Sequence, residues 1–195
     1  MTESEMIEKL KKNQKERRFN HTIGVMIEAQ RLAGIFGVDR EKAKIAALLH
    51  DCAKNLDEIT GNDFDFICKS YGVELDEYAK KEKALVHAFL GKAVARKDYG
   101  ICDDEILNAI YYHTTARPKM TQLEKLIYIA DMTEPGRKIS QSDEIRMLVK
   151  TDPEDALIYA IGCSIKHVIR KGTLIHPDSV HALNYFIEHR RGNND

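Results

Sequence analysis

The chain has 195 residues, 43% of them hydrophobic and 31% charged, which suits a globular protein able to bury a core without disulfides or a structural metal. Its 30 Lys and Arg against 31 Asp and Glu leave a formal net charge of −1, which argues against a generally basic nucleic-acid binder. No apolar run approaches bilayer length, and the polar start Met1-Thr2-Glu3-Ser4-Glu5 does not read as a secretory signal. A cytoplasmic protein is therefore expected, with no membrane or nucleic-acid partner and with Cys52, Cys68, Cys102 and Cys163 reduced.

The apolar spacing is helical nearly everywhere, and an all-α chain follows. The charged segment Met1–Lys15 reads as flexible. From Arg18 to Phe36, Ile23, Ile27, Leu32, Ile35 and Phe36 form one apolar stripe, stopped at Gly37. Asp39 caps the next helix, Ala43 to Leu49, which is apolar on most sides and so central. Lys54–Gly61 reads as a second flexible stretch. Asn62 or Asp63 caps a helix through Phe64, Ile67 and Cys68 that Gly72 ends. Ala84 to Tyr99 forms another, stopped by Gly100, and Asp103 caps one through Ile106, Leu107 and Ile110. Pro118 interrupts the chain before a helix from Thr121 to Met132, and Pro135-Gly136 marks a turn. Helices near Asp143–Val149, from Pro153 to Lys171 and from Asp178 to His189 complete the chain, with Gly192–Asp195 frayed. There is no alternating strand pattern and no repeat, and short connections predict one compact domain over residues 1–195.

Polar groups sit where this pattern is most apolar. His50 and Asp51 end the run Ile45-Ala46-Ala47-Leu48-Leu49, and Asp131 ends Leu126-Ile127-Tyr128-Ile129-Ala130. A lone His on an apolar face is more often a hydrogen-bonded core residue than a ligand. An ionised Asp51 at the end of a buried run, however, needs a strong partner, because an unpaired buried carboxylate costs several kcal/mol. A divalent metal, or a nearby Lys or Arg, would supply it. Imidazole with carboxylate suits Fe, Mn, Co, Ni or Zn. Adjacent residues point about 100° apart on a helix, so His50 and Asp51 share an ion only at the helix end, and Asp51 has a second oxygen for another. Lys54, at i+4 from His50, lies on the same side if the helix persists that far, well placed for a phosphate.

The order His21, His50-Asp51, Asp131 resembles the H…HD…D signature of HD-domain metal-dependent phosphohydrolases. His87 and His113 match the branch that holds two metals. The stretches Arg18–Val25, Ala47–Lys54, Ala109–Thr115 and Tyr128–Arg137 are similar to the bacterial YqeK-type family, symmetrical diadenosine tetraphosphate hydrolases with a di-iron centre. The resemblance runs from about residue 18 to beyond Arg137, and the only departure is Met132-Thr133, where a more aromatic or aliphatic pair is usual. It implies a compact HD-domain helical bundle. It also implies His21, His50, Asp51 and Asp131 on a first metal, with Asp51 bridging to a second completed by His87 and His113. Iron comes first among the candidate ions, ahead of Mn, Co, Ni or Zn. The implied reaction is cleavage of diadenosine tetraphosphate to two ADP by hydroxide generated at the metals, and a homodimer is implied as well.

Around that centre, Lys54 contacts a substrate phosphate or is a solvated lysine. Arg137, after Pro135-Gly136, clamps a phosphate or makes a surface ion pair. Arg18 pairs with a ligand carboxylate or reaches phosphate. Thr114 and Thr115 contact phosphate, fix His113 or simply end a helix. Glu134, one turn after Asp131, is suited to hydrogen-bond a metal-bound His or water. Tyr111, Tyr112 and Tyr128 stack on a base or belong to the core. Asp51, Lys54 and Arg137 are the expected catalytic groups. Other readings are an HD-type enzyme for a mononucleotide or alarmone, a non-catalytic nucleotide sensor on the same pocket, and a helical scaffold with structural histidines.

Overall fold

The computed structural model describes residues 1–138 and 140–192, and among them the regular structure is entirely helical. The first helix, α1 (Glu3–Asn13), occupies the segment expected to be flexible. Thr2 and Glu5 form a reciprocal capping box, and Met6 and Leu10, one turn apart, are buried. A four-residue apolar spacing and a Thr-x-x-Glu start were thus enough to order a strongly charged segment.

In α2 (Glu16–Phe36), closed by Gly37 at φ 62°, the buried face shares Leu32 and Phe36 with the predicted stripe but leaves out Ile27 and Ile35. Val25, Ala29, Leu32, Ala33 and Phe36 face the core, while Ile27 and Ile35 are 54% and 41% exposed. The alanines decide this, because their small side chains let α2 approach its neighbours closely. Those neighbours are α3 (Arg40–Leu49), capped by Asp39, and α9 (Gln122–Thr133). The α-helix of α3 ends at Leu49, so Lys54 is not on it; residues 50–55 turn, and Asn55 has φ 62°. Next comes the short α4 (Leu56–Thr60), inside the second stretch expected to be flexible.

Asp63 caps α5 (Phe64–Tyr71), and Asp76 caps the unanticipated α6 (Glu77–Lys81). α7 (Lys83–Tyr99) packs on α8 (Asp104–Tyr112), and α8 on α9 (Gln122–Thr133), whose Thr121–Glu124 start is a second capping box. α10 (Ser140–Thr151), α11 (Pro153–Lys171) and α12 (Pro177–Gly192) follow; α10 and α11 cover α9, and α12 lies on α11. The tail from residue 193 lies outside the described residues. Cys52 and Cys68 are buried, Cys163 is partly buried and Cys102 exposed, all as free thiols. No described helix is long and apolar enough to cross a membrane.

Candidate metal centre

Five helices aim side chains at one buried point. His21 comes from α2, His50 and Asp51 from the end of α3, His87 from α7, His113 from the end of α8 and Asp131 from α9. His50, Asp51, His87 and His113 are each at most 4% exposed. Two overlapping groups have ligand atoms close enough for an ion: His21, His50 and Asp51, and Asp51, His87 and His113.

Backbone carbonyls fix where the protons sit. His50 Nδ1–H donates to Ala47 O at 2.6 Å, and His113 Nδ1–H donates to Ile110 O at 2.7 Å. A carbonyl only accepts, so each ring carries its proton on Nδ1 and presents the Nε2 lone pair inward. His21 Nδ1 faces Glu134 Oε1 at 3.1 Å, which turns its Nε2 inward in the same way. His21 Nε2 is 3.0 Å from Asp131 Oδ1 but off any hydrogen-bonding direction. His21 Nε2, His50 Nε2 and Asp51 Oδ1 are buried without a hydrogen-bond partner. Lone pairs turned on a carboxylate repel one another unless a cation lies between them. The donor set, neutral imidazoles with carboxylates, suits a first-row divalent ion.

Asp51 divides its oxygens between the two groups. Oδ2 lies 3.5 Å from His50 Nε2 and 4.0 Å from His21 Nε2, whereas Oδ1 lies 3.2 Å from His87 Nε2 and 3.7 Å from His113 Nε2. Burial alone would raise the Asp51 carboxyl, but His50, His113 and His87 around it hold it well below the usual carboxylate range. Asp131 behaves alike: burial opposes ionisation, and His21 and Arg137 outweigh it. Burial, reinforced by the Lys54 charge, pushes His87 down to about 4, so its ring is neutral. Burial also lowers Lys54.

The supporting residues resolve several of the open alternatives. Arg18 donates to Asp51 Oδ2 at 2.6 Å, and Arg137 donates to Asp131 Oδ1 at 2.8 Å and Asp131 O at 3.0 Å, so both arginines pair with candidate ligand carboxylates. Lys54, although off α3, brings Nζ within 3.1 Å of both His87 ring nitrogens. Thr114 Oγ1 is buried without a partner beside His113, while Thr115 is buried and accepts from Ser179 through its carbonyl. Tyr128 is 2% exposed and bonded to Ser164, and so offers no face for a base.

Three residues here have roles that the sequence did not show. Gln14 donates to Asp51 O at 3.2 Å and accepts from Thr22 at 3.1 Å, tying α1 to the ligand loop. Gly24 and Gly136 enclose Glu134. A Cβ on Gly24 would fall 2.6 Å from Glu134 Oε2, and one on Gly136 2.9 Å from it. The Gly136 N–H donates to that same oxygen at 2.5 Å. Glu134 is thus seated between glycines with its other oxygen on His21.

An all-helical scaffold with paired histidine–carboxylate ligand groups around a shared aspartate defines a metal-binding phosphohydrolase-type site. The HD domain model matches residues 18–136, and the chain belongs to the HD domain family. Proteins named "Bis(5'-nucleosyl)-tetraphosphatase, symmetrical" are similar to it along nearly their whole length. The one from Halalkalibacterium halodurans is 34% identical, covering 96% of this chain and 98% of that protein, and the one from Bacillus subtilis is 36% identical over the same shares. A Clostridium acetobutylicum crystal structure, described as a "predicted HD superfamily hydrolase involved in NAD metabolism", superposes with TM-score 0.89 at 42% identity, covering 97% of this chain and 98% of that one.

Proposed function

We propose that this protein hydrolyses a nucleotide phosphoanhydride, and that its substrate is diadenosine tetraphosphate, cleaved symmetrically to two ADP. The observation that carries the reading is Asp51, each of whose oxygens faces a different pair of imidazole nitrogens. The named activity of the tetraphosphatase relatives supports the substrate.

His21, His50, Asp51 and Asp131 would hold one ion, and His87 and His113 would complete a second with Asp51 between them. Iron is the first candidate, with Mn, Co, Ni or Zn as substitutes. Bound there, such ions lower the pKa of water and offset charge on phosphate oxygens. The protein's own groups do the remaining work. Glu134 holds His21 in the tautomer whose Nε2 points inward. Arg137 helps to keep Asp131 ionised, and Arg18 and Arg137, paired with Asp51 and Asp131, present guanidinium edges to an incoming polyphosphate. Lys54 adds a third cation on the His87 side, and the free Thr114 hydroxyl is a donor for a phosphate oxygen. In symmetric cleavage, water adds across the central P–O–P bond; its oxygen ends on one ADP and the bridging oxygen on the other, with one proton released to solvent.

The description of the Clostridium relative gives a second candidate, the diphosphate bridge of NAD, which the same ligand set would accommodate. Anaerobically purified protein is incubated separately with diadenosine tetraphosphate and NAD, and products are separated by ion exchange. ADP as sole product of the tetraphosphate confirms the proposal. ATP plus AMP refutes symmetric cleavage, AMP from NAD alone moves the assignment to the second candidate, and binding without turnover of any nucleotide indicates a sensor.

A further inference from the structure

The turn after α9 carries two of the groups that meet the candidate ligands, and burial does not hold it in place. Glu134 is buried, but Pro135 and Gly136 are exposed and Arg137 is only partly buried. α9 ends at Thr133, so the carbonyls of its last turn lack intrahelical partners. One side chain from α10 takes up this end of the chain. Arg146 Nε–H donates to Thr133 O at 2.9 Å, and its Nη2 donates to Glu134 O at 2.8 Å and to Arg137 O at 3.0 Å. Asp143, one turn earlier on α10, accepts from Nη1 at 2.5 Å and steadies the guanidinium.

A basic side chain on the last carbonyls of a helix is an ordinary cap. Arg146 does more, because Arg137 O lies beyond the turn. One planar group grips the chain on both sides of Pro135-Gly136, where the backbone itself adds the bond from Arg137 N–H to Glu134 O at 2.9 Å. The gripped segment reaches the metal centre through its side chains: Glu134 Oε1 meets His21 Nδ1, and the Arg137 guanidinium meets Asp131. Among the described residues, Arg146 itself bonds to no candidate ligand. We propose that Arg146 is a positioning residue for this centre: by fixing the turn at both ends it sets where Glu134 orients His21 and where Arg137 stands to receive a phosphate. The phosphate half of the proposal rests on the phosphohydrolase reading above; the His21 half rests on geometry alone.

The test is Arg146→Lys, alone and combined with Arg137→Ala or with Glu134→Ala. Lysine keeps the positive charge that a helix C-terminus favours, but it is a point charge on a flexible stem and lacks the planar fork. The variant is therefore expected to melt close to wild type. Its KM for diadenosine tetraphosphate should rise by about tenfold with a smaller change in kcat, within the ~100-fold that an ångström of misplacement costs. Zinc affinity, from competition with a chromophoric chelator, should fall by about tenfold, the lower end for groups that orient a ligand. Because Arg146 acts through the two turn residues, its KM effect should vanish in the Arg137→Ala background and its zinc effect in the Glu134→Ala background, whereas independent contributions would multiply. Arg146→Gln, which retains a donor without the charge, repeats both cycles if the lysine variant does not fold. Wild-type KM and zinc affinity in the variant, or effects that multiply in either double variant, would overturn the proposal and leave Arg146 a helix cap. Failure of the loaded wild type to turn over diadenosine tetraphosphate would instead overturn the functional reading, and the zinc cycle, which needs no substrate, would then decide the positioning role.

Discussion

Replacing Gly24 by alanine puts the seating of Glu134 to the test. Within a helix, Gly→Ala ordinarily stabilises by about 0.5–1 kcal/mol. Gly24 lies inside α2, so propensity alone predicts a more stable protein. Its new Cβ, however, would stand 2.6 Å from Glu134 Oε2 and 3.3 Å from Cδ. The carboxylate must retreat by most of an ångström, and it is held on one oxygen by the Gly136 N–H and on the other by His21 Nδ1. Hydrogen bonds to a charged group are each worth about 1.5–3 kcal/mol, so weakening both outweighs the propensity gain and leaves a net loss of roughly 2 kcal/mol. For a chain of this size that lowers Tm by about 4–8 °C. Loss of the group that orients a histidine ligand should also weaken metal binding by about 10- to 100-fold. Gly34→Ala in the same helix meets nothing within 4 Å and is the control, expected to be stabilising. Thermal unfolding of metal-free protein and competition with a chromophoric chelator read the two effects. A Gly24→Ala variant that melts as high as Gly34→Ala, with wild-type metal affinity, would refute the reasoning.

Four further outcomes are expected. Metal-free protein keeps His87 neutral down to about pH 4, whereas the unfolded chain takes up that proton near the usual 6.5. Its stability should therefore be full above pH 6.5 and fall by about 3 kcal/mol as pH drops toward 4, in urea titrations, with the slope reduced in His87→Gln. Thr2→Ala should remove the α1 capping box and cost about 1 kcal/mol without changing metal content. Arg137→Ala should raise KM for diadenosine tetraphosphate by roughly 10- to 100-fold in steady-state assays, with the wild-type value counting against a phosphate role. Chelator treatment should abolish turnover, and readdition of ion should restore it; full activity of a chelated sample would remove the metal from the account.

The helical class and most helix stops were legible because Asp39, Asp63, Asp103, Gly37, Gly72 and Gly100 act through local rules that need no tertiary context. His21, His50, Asp51, His87, His113 and Asp131 were legible through the family resemblance, and their convergence depends on five helices that no local window contains. On α2, Leu32 and Phe36 were placed correctly, but Ile27 and Ile35 were misjudged, because hydrophobicity alone ranks Ile27 above Ala29, whereas close helix packing selects the alanine. The Met1–Lys15 segment was misjudged because its charges masked Met6 and Leu10. Gly24 and Gln14 act through partners distant in sequence, Glu134 and Asp51, and no pattern announces them, whereas Gly136 was read only as a turn residue and not as a donor to Glu134.

The central claim is that Asp51 joins two ion sites in one working centre. Metal per chain, measured by mass spectrometry on anaerobically prepared wild type and Asp51→Ala alongside turnover of diadenosine tetraphosphate, tests it most directly. The account predicts about two ions per wild-type chain with ADP as product, and a variant that has lost turnover together with most of its metal. Undiminished turnover by Asp51→Ala, or by wild type without stoichiometric metal, would contradict it.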